Sequence, residues 1–180
     1  MNIKNTKAAM IQTKNLNLIP IQASDITYLI SLYEKPEVRK ELGGVLTKDQ
    51  AKMRSESLIA HWKEYGIGFY MIYSKEKNTP MGYGGFRVFK NQHPDLEGKV
   101  EIGYVLDVPY WGQGYAKEAV QAWIKTGFEQ FKFEDLTAII SPTNAASIAV
   151  VKKMGFEFLG QYKIDGVDNS AFRLACKMYD

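Results

Sequence analysis

The chain has 180 residues, 46% of them hydrophobic, and its formal net charge is +3 at pH 7. This length favours a single domain, and the mild charge, with no run of basic residues, argues against nucleic acid as a partner. No apolar run reaches the length of a membrane span, and the N-terminus lacks the apolar block of a secretory signal. One cysteine, Cys176, excludes an internal disulfide, so we expect a cytoplasmic protein without a membrane partner. Its polar residues 1–14 are expected to be loose, and residues 15–180 to form the domain.

The first half of the chain predicts strands and helices that build one sheet. Alternation from Leu16 predicts a first strand, and a helix follows it through Tyr33. Thr47 and Gln50 form the capping-box pattern of a second helix, which Gly66 ends. Three further strands are predicted at residues 69–74, 81–90 and 100–106.

Two glycines stand where the last of these strands gives way to a helix at residues 117–131. The connecting sequence is Tyr110-Trp111-Gly112-Gln113-Gly114-Tyr115-Ala116. Glycine adopts positive φ at little cost and the first amides of a helix have no intrahelical partner, so this pattern is typical of an anion-binding turn. It also fits a tight packing turn, because it lacks the third glycine of a dinucleotide fingerprint and the ending of a P-loop.

The remaining elements complete a mixed sheet. A short strand is predicted at residues 136–140 and a helix at 144–154. Two final strands, at 156–164 and 171–178, are joined by a turn at Asp165-Gly166. Hairpins in the first half and a βαβ unit in the second predict an α+β fold with helices on both faces of the sheet.

A second motif lies in the last predicted helix, which Asn144 and Ser147 open and Lys153-Met154-Gly155-Phe156 closes. Together with the glycine turn and Glu101-Ile102-Gly103-Tyr104 before it, this combination resembles the GNAT superfamily of acetyl-CoA-dependent N-acetyltransferases, and most closely its ribosomal-protein-alanine acetyltransferase branch. The resemblance covers roughly residues 16–178. It implies a single GNAT-like domain with α/β/α layers, in which a mostly antiparallel sheet of about seven strands splays at the fourth strand and packs against four helices.

The resemblance implies acetyl-CoA as cosubstrate. No metal is expected, because His61 and His93 lie far apart in the sequence and show no metal-ligand spacing. Backbone amides of residues 112–117 would hold the pyrophosphate, and main-chain groups of the splayed strand would pair with the pantetheine arm and the acetyl carbonyl. Asn144 would form a hydrogen bond with the pantetheine, although it also suits a helix N-cap. Lys153 would contact the nucleotide end of CoA, although it could equally be a solvated lysine. The cofactor-binding residues that the family implies are Tyr104, Leu106, Gly112, Gln113, Gly114, Tyr115, Ala116, Lys117, Asn144 and Lys153.

The implied reaction is direct attack of an amine on the acetyl thioester, which needs a base to deprotonate the ammonium. Glu101, at the start of the splayed strand, is the candidate base; the alternative is an exposed glutamate paired with Lys99. Many family members carry a tyrosine in the last helix that protonates the CoA thiolate. Here Val151 stands at that position, so Ser147 becomes the candidate acid. A covalent route through Cys176 is disfavoured, because no activating base is evident near it in the sequence.

The acceptor would enter between the loop that joins the first two helices and the final hairpin. The candidates to line that end are Tyr33, Trp62, Phe69, Arg87 and Phe172, although each alone also fits core or ordinary surface. The acceptor stays open between a protein N-terminus, a polyamine, an aminoglycoside and another small amine, and a homodimer also stays open. The alternative function on the same fold is a CoA-binding or protein-interaction module without catalysis.

Overall fold

The computed structural model describes residues 9–90, 93–164 and 166–179, which form an eight-stranded sheet and five helices. The strands are β1 Ile11–Gln12, β2 Leu16–Pro20, β3 Phe69–Ser74, β4 Pro80–Val88, β5 Val100–Leu106, β6 Asp135–Ile140, β7 Glu157–Ile164 and β8 Val167–Ala175. The helices are α1 Ile26–Tyr33, α2 Pro36–Arg39, α3 Lys48–Tyr65, α4 Tyr115–Glu129 and α5 Ala145–Lys153. The spatial order of the strands is β1-β2-β3-β4-β5-β6-β8-β7. Within the described ranges, no helix combines the length and apolarity that crossing a bilayer requires.

The predicted α+β class and the mixed, mostly antiparallel sheet are confirmed, with one more strand and one more helix than expected. The added strand β1 has two residues, too few to show an alternating pattern. The added helix α2 lies in the segment expected to be the loop between the first two helices, and it begins at Pro36, a residue that suits the first helical position. Residues 1–8 of the segment expected to be loose, and Asp165 of the predicted turn, lie outside the described residues.

Helices cover both faces of the sheet. On one face Trp123 of α4 is fully buried, and on the other Leu29 of α1 and Leu58 of α3 pack with Met71 of β3. Gly84 of β4 allows α4 to approach the sheet, because a Cβ on this glycine would lie 2.4 Å from the Trp123 ring. This packing holds the N-terminus of α4 beside the end of β5.

The sheet splays between β5 and β6, as expected. These two strands are parallel and pair only at Glu101 and Thr137. At the end of β5, the N–H of Asp107 donates to the carbonyl of Met81 at 2.8 Å, on the β4 side. Because successive residues of a strand direct their backbone groups to opposite edges, those of Tyr104 and Leu106 point to the open edge towards β6.

Candidate active site

Two cavities meet at the open edge of β5. The first, which we call the α4–α5 cleft, has a volume of about 560 Å³ and lies between the N-terminal turns of α4 and α5, the end of β5, helix α2 and the residues that follow α2 up to position 42. The second, the α3 pocket, has a volume of about 380 Å³ and lies beside α3, β4 and β5. Tyr104, Val105, Asn144 and Ser147 line both cavities, so the two cavities adjoin at these residues.

The glycine turn forms one end of the α4–α5 cleft. Gly112 and Gly114 have φ values of +71° and +85°, and a Cβ on either would meet no atom within 4 Å. Glycine is needed there for the backbone conformation, and the space beside the turn is open. Gly114 is the N-cap of α4 and provides no side-chain cap, whereas Thr47 and Asn144 cap α3 and α5. The first amides of α4 are therefore available to an anion.

All of the predicted cofactor residues except Gln113 and Tyr115 line the α4–α5 cleft. The Gln113 side chain instead donates from Nε2 to the carbonyl of Pro109 at 2.6 Å, and the Tyr115 ring packs against the apolar core. Their main-chain amides belong to the turn. Lys117 and Lys153 are exposed and bring positive charge to the cleft.

The end of β5 offers backbone groups to the cleft. The indole Nε1 of Trp111 donates to the carbonyl of Leu106 at 2.8 Å, so this acceptor is already occupied. The N–H of Leu106 and both backbone groups of Tyr104 point to the open edge. A ligand lying along β5 would therefore find two donors and one acceptor, the pattern expected for a pantetheine arm.

The side chains of Tyr104 and Ser147 meet where the two cavities join. Their hydroxyl oxygens lie 3.2 Å apart, within hydrogen-bond distance. Burial raises the pKa of the Tyr104 phenol, and the hydrogen bond to Ser147 opposes this shift. Asn144 accepts the backbone N–H of Ser147 on Oδ1 at 3.1 Å, so it acts as the N-cap of α5. Sequence reasoning used only the main chain of Tyr104 and missed its hydroxyl.

Glu101 is paired, although not with the lysine considered from the sequence. Its Oε2 lies 2.6 Å from Nε of Arg87, directly across the β4–β5 ladder, while Lys99 pairs with Asp135 at 3.5 Å. The Glu101 side chain is 13% exposed and lines the α3 pocket. Burial raises the pKa of its carboxyl, against the opposing effects of Arg87 and, more weakly, Arg54.

Only Phe69 and Arg87 of the predicted acceptor residues line the α3 pocket. Tyr33 is fully buried and packs edge-on against Tyr83, with ring centroids 5.8 Å apart. The Trp62 Nε1 donates to the Phe69 carbonyl at 2.7 Å, and its ring covers Gly68. Phe172 is buried in the core, and its ring centroid lies 5.6 Å from that of Phe158. The structure gives Tyr33, Trp62 and Phe172 packing contacts and brings none of them to either cavity.

Two charged residues that line the α3 pocket were not singled out from the sequence. Glu41 lines both cavities and accepts hydrogen bonds from the hydroxyls of Ser141, at 2.7 Å, and Thr143, at 2.5 Å. These bonds, first that of Thr143 and then that of Ser141, lower the pKa of Glu41. The second residue is Arg54 of α3, which lines the α3 pocket. Glu41 and Ser141 are 100 residues apart in the sequence, so no local pattern predicts the role of Glu41.

The histidines and the cysteine lie in other surroundings. His61 accepts the N–H of Val88 on Nε2 at 3.2 Å, and burial lowers its pKa to about 4. His93 accepts the N–H of Asp95 on Nδ1 at 3.3 Å. Across the described ranges, no three His, Cys, Asp or Glu side chains are grouped so that they could hold a metal ion. Cys176 is half-buried and packs against the core on the α4 face.

Comparison with known proteins relates the sequence and the fold of the chain to acetyltransferases. The profile of the acetyltransferase (GNAT) domain family matches residues 15–157. The uncharacterized N-acetyltransferase p20 of Bacillus licheniformis is 28% identical over 82% of this chain and 82% of its own. An acetyltransferase structure from Agrobacterium tumefaciens superposes with a TM-score of 0.81 at 24% identity, over 94% of this chain and 95% of its own. A RimL ribosomal L7/L12 α-N-protein acetyltransferase in complex with coenzyme A gives 0.75 at 20% identity, over 93% and 98% of the two chains.

Proposed function

Because the chain belongs to the GNAT acetyltransferase family, we propose that it transfers the acetyl group of acetyl-CoA to a primary amine by direct attack. The observation that carries the proposal is the meeting of the α4–α5 cleft and the α3 pocket at Tyr104 and Ser147. One cavity supplies a site for the acyl donor, and the other supplies a site for the acceptor. The single cysteine, Cys176, agrees with a reducing, cytoplasmic setting.

We assign the α4–α5 cleft to CoA. The amides that follow Gly114 at the start of α4 suit the pyrophosphate, and Lys117 and Lys153 add positive charge beside it. Main-chain groups of β5 then pair with the pantetheine arm. Asn144 contributes its Nδ2, since its Oδ1 already caps α5. The RimL structure with bound coenzyme A supports such a site on this fold.

Glu101 is the base in this proposal. Burial raises its pKa, which makes the carboxylate a better proton acceptor, while Arg87 holds it in place at 2.6 Å. Glu41 also lines the α3 pocket, but its hydrogen bonds to hydroxyls lower its pKa and make it a weaker base. The amine would lose its proton to Glu101, directly or through a water, before it attacks.

Groups at the junction of the cavities complete the reaction. The N–H of Leu106, which points to the open edge of β5, is suited to donate to the acetyl oxygen as negative charge develops there. Ser147 then gives a proton to the departing thiolate. Tyr104, 3.2 Å from Ser147, is placed to give its own phenol proton to the serine, taking one back from solvent, and to hold the serine hydroxyl in one orientation.

Thiol release from acetyl-CoA tests the proposal. The amine panel contains a peptide with a free N-terminus, as the RimL neighbour acts on a protein α-amine, together with a polyamine, an aminoglycoside and simple primary amines. We expect amine-dependent thiol release and an N-acetylated product in mass spectrometry, against a blank without amine. If the protein binds acetyl-CoA but no amine accelerates thiol release, the transferase proposal is wrong and the chain is a non-catalytic CoA-binding module.

A further inference from the structure

Four charged side chains from separate parts of the chain line the α3 pocket: Glu41, Arg54, Arg87 and Glu101. Two of them neutralise each other, since Arg87 Nε lies 2.6 Å from Glu101 Oε2. The Arg87 guanidinium also lies over the ring of Phe89, 4.8 Å from its centroid. Arg87 is therefore held in position and its charge is balanced within the protein.

Arg54 is a cation without such a balance. It projects from α3, it is exposed, and in the part of the chain that the structure describes its guanidinium forms no hydrogen bond or ion pair. Its charge acts on another residue of the pocket, because it opposes the rise that burial causes in the pKa of Glu101. A guanidinium offers five N–H donors in a planar fork that matches a carboxylate. An anionic group in the α3 pocket would find its partner here.

One carboxylate of the pocket lies where the two cavities adjoin. Glu41 lines the α4–α5 cleft as well as the α3 pocket, so it marks the junction where the acetyl group would be transferred, whereas Arg54 lines the α3 pocket alone. Glu101 also lines the α3 pocket alone, and Arg87 balances its charge. The pocket thus presents the Glu41 carboxylate at the junction and the unbalanced positive charge of Arg54 on α3.

We propose that the acceptor is a primary amine that also carries a carboxylate, with its amine at the cavity junction and its carboxylate on Arg54. This substrate class rests on the proposed acetyltransferase function. A pocket of about 380 Å³ is near the lower end of ligand-site volumes, so it admits a small molecule or the first residues of a peptide. The shared chemistry occurs in a free amino acid with separated charges and in a peptide with an acidic residue beside its N-terminus.

Matched acceptor pairs test this inference. The first pair is 4-aminobutanoate and its amide, and the second is a short peptide with Asp or Asn after the N-terminal residue. Wild-type protein should show a higher kcat/KM for the carboxylate member of at least one pair, and which pair responds identifies the source. Arg54→Gln should reduce the carboxylate-to-neutral ratio of kcat/KM about tenfold, which corresponds to about 1.4 kcal/mol. Taking the ratio cancels the intrinsic reactivity of the enzyme variant.

Lys52→Gln is the matched control, because it removes one positive charge from the same helix at an exposed side chain that lines neither cavity. Its ratio should equal that of the wild type. Calorimetric titration of the preferred acceptor into the CoA complex provides a readout without turnover, and Arg54→Gln should weaken that binding. If amines are acetylated while the ratio is the same in wild type and Arg54→Gln, the carboxylate inference is wrong and the transferase stands. If no amine of the pairs is acetylated while another amine of the panel is, the carboxylate inference is also wrong. If no amine of the pairs or of the panel is acetylated, the transferase proposal itself fails.

Discussion

The hydroxyl oxygens of Tyr104 and Ser147 lie 3.2 Å apart at the junction of the two cavities. One residue comes from the splayed strand β5 and the other from the first turn of α5, so the contact joins this strand to the start of the last helix. Because burial raises the pKa of Tyr104, the phenol keeps its proton at neutral pH and can act as a donor to the serine. The hydrogen bond connects Ser147, the proposed acid, to the phenol of Tyr104 as a proton source. The last helix itself offers no such phenol, because Val151 stands where many family members carry a tyrosine.

If Tyr104 and Ser147 work as a pair, their removal should be non-additive. Ser147→Ala and Tyr104→Phe should each lower kcat with little change in the acetyl-CoA KM, by less than the ~100-fold of a strong general acid. The double variant should be no slower than the slower single variant, because either change breaks the same hydrogen bond. Steady-state kinetics of the four proteins measure this, and effects that multiply would show that the residues act independently.

Asn144 has a structural and a proposed ligand role that can be separated. Asn144→Ala removes the cap on the Ser147 N–H and should cost about 1 kcal/mol of stability. Asn144→Ser keeps a capping oxygen but has no amide to donate to pantetheine. The serine variant should therefore melt near the wild-type temperature and still show a raised acetyl-CoA KM with kcat nearly unchanged. An unaltered KM in both variants would reduce Asn144 to a helix cap.

Glu101→Gln keeps an oxygen for Arg87 and removes the base. Turnover at pH 7 should fall about 100-fold or more, the usual scale of general base catalysis, with acetyl-CoA affinity little changed. The measurement is single-turnover acetyl transfer to the best amine of the panel. If the variant turns over as fast as the wild type, Glu101 is not the base, and solvent or a water chain deprotonates the amine.

The stability of the protein should depend on pH through His61. Burial lowers its folded pKa from 6.5 to about 4; Arg87 and Arg54 oppose protonation, whereas Glu64 favours it. Below about pH 6.5, His61 binds a proton in the unfolded chain but stays neutral in the folded chain. The free energy of unfolding therefore decreases as the pH falls from about 6.5 towards 4. His61→Gln can still accept the Val88 N–H and does not titrate. Its melting temperature should drop less than that of the wild type between pH 7 and pH 5, and equal drops would contradict the assignment.

Local patterns in the sequence predicted the framework of the site. The Thr47 and Gln50 capping box and the Gly66 terminus of α3 are present, since caps depend on a few neighbouring residues. The positive φ of Gly114 follows from the strand–glycine–helix order in the same way. These features are fixed by short-range sterics and hydrogen bonds, which a sequence displays directly.

Contacts between distant segments could not be predicted in this way. The pairing of Glu101 with Arg87 depends on the register of β4 against β5, and a shift of one residue would have separated the two charges. Glu41 contacts Ser141 only because the segment that follows α2 lies beside the end of β6. Tyr33 and Trp62 were assigned to the acceptor site by type and position, but Tyr33 is buried in the core and the half-buried Trp62 packs against the apolar core.

Binding of CoA at the glycine turn is the central claim, and calorimetry with Gly114→Val tests it most directly. The valine would occupy the open space beside the turn and strain a backbone with φ of +85°. Gly98→Val is the control, because Gly98 has φ of +74°, equally open surroundings and no place in the cleft. Wild type and a folded Gly98→Val protein should bind CoA alike, and Gly114→Val should bind it at least about tenfold more weakly, a loss of about 1.4 kcal/mol. Equal CoA affinity in a folded Gly114→Val protein, or no CoA binding by the wild type, would contradict the account.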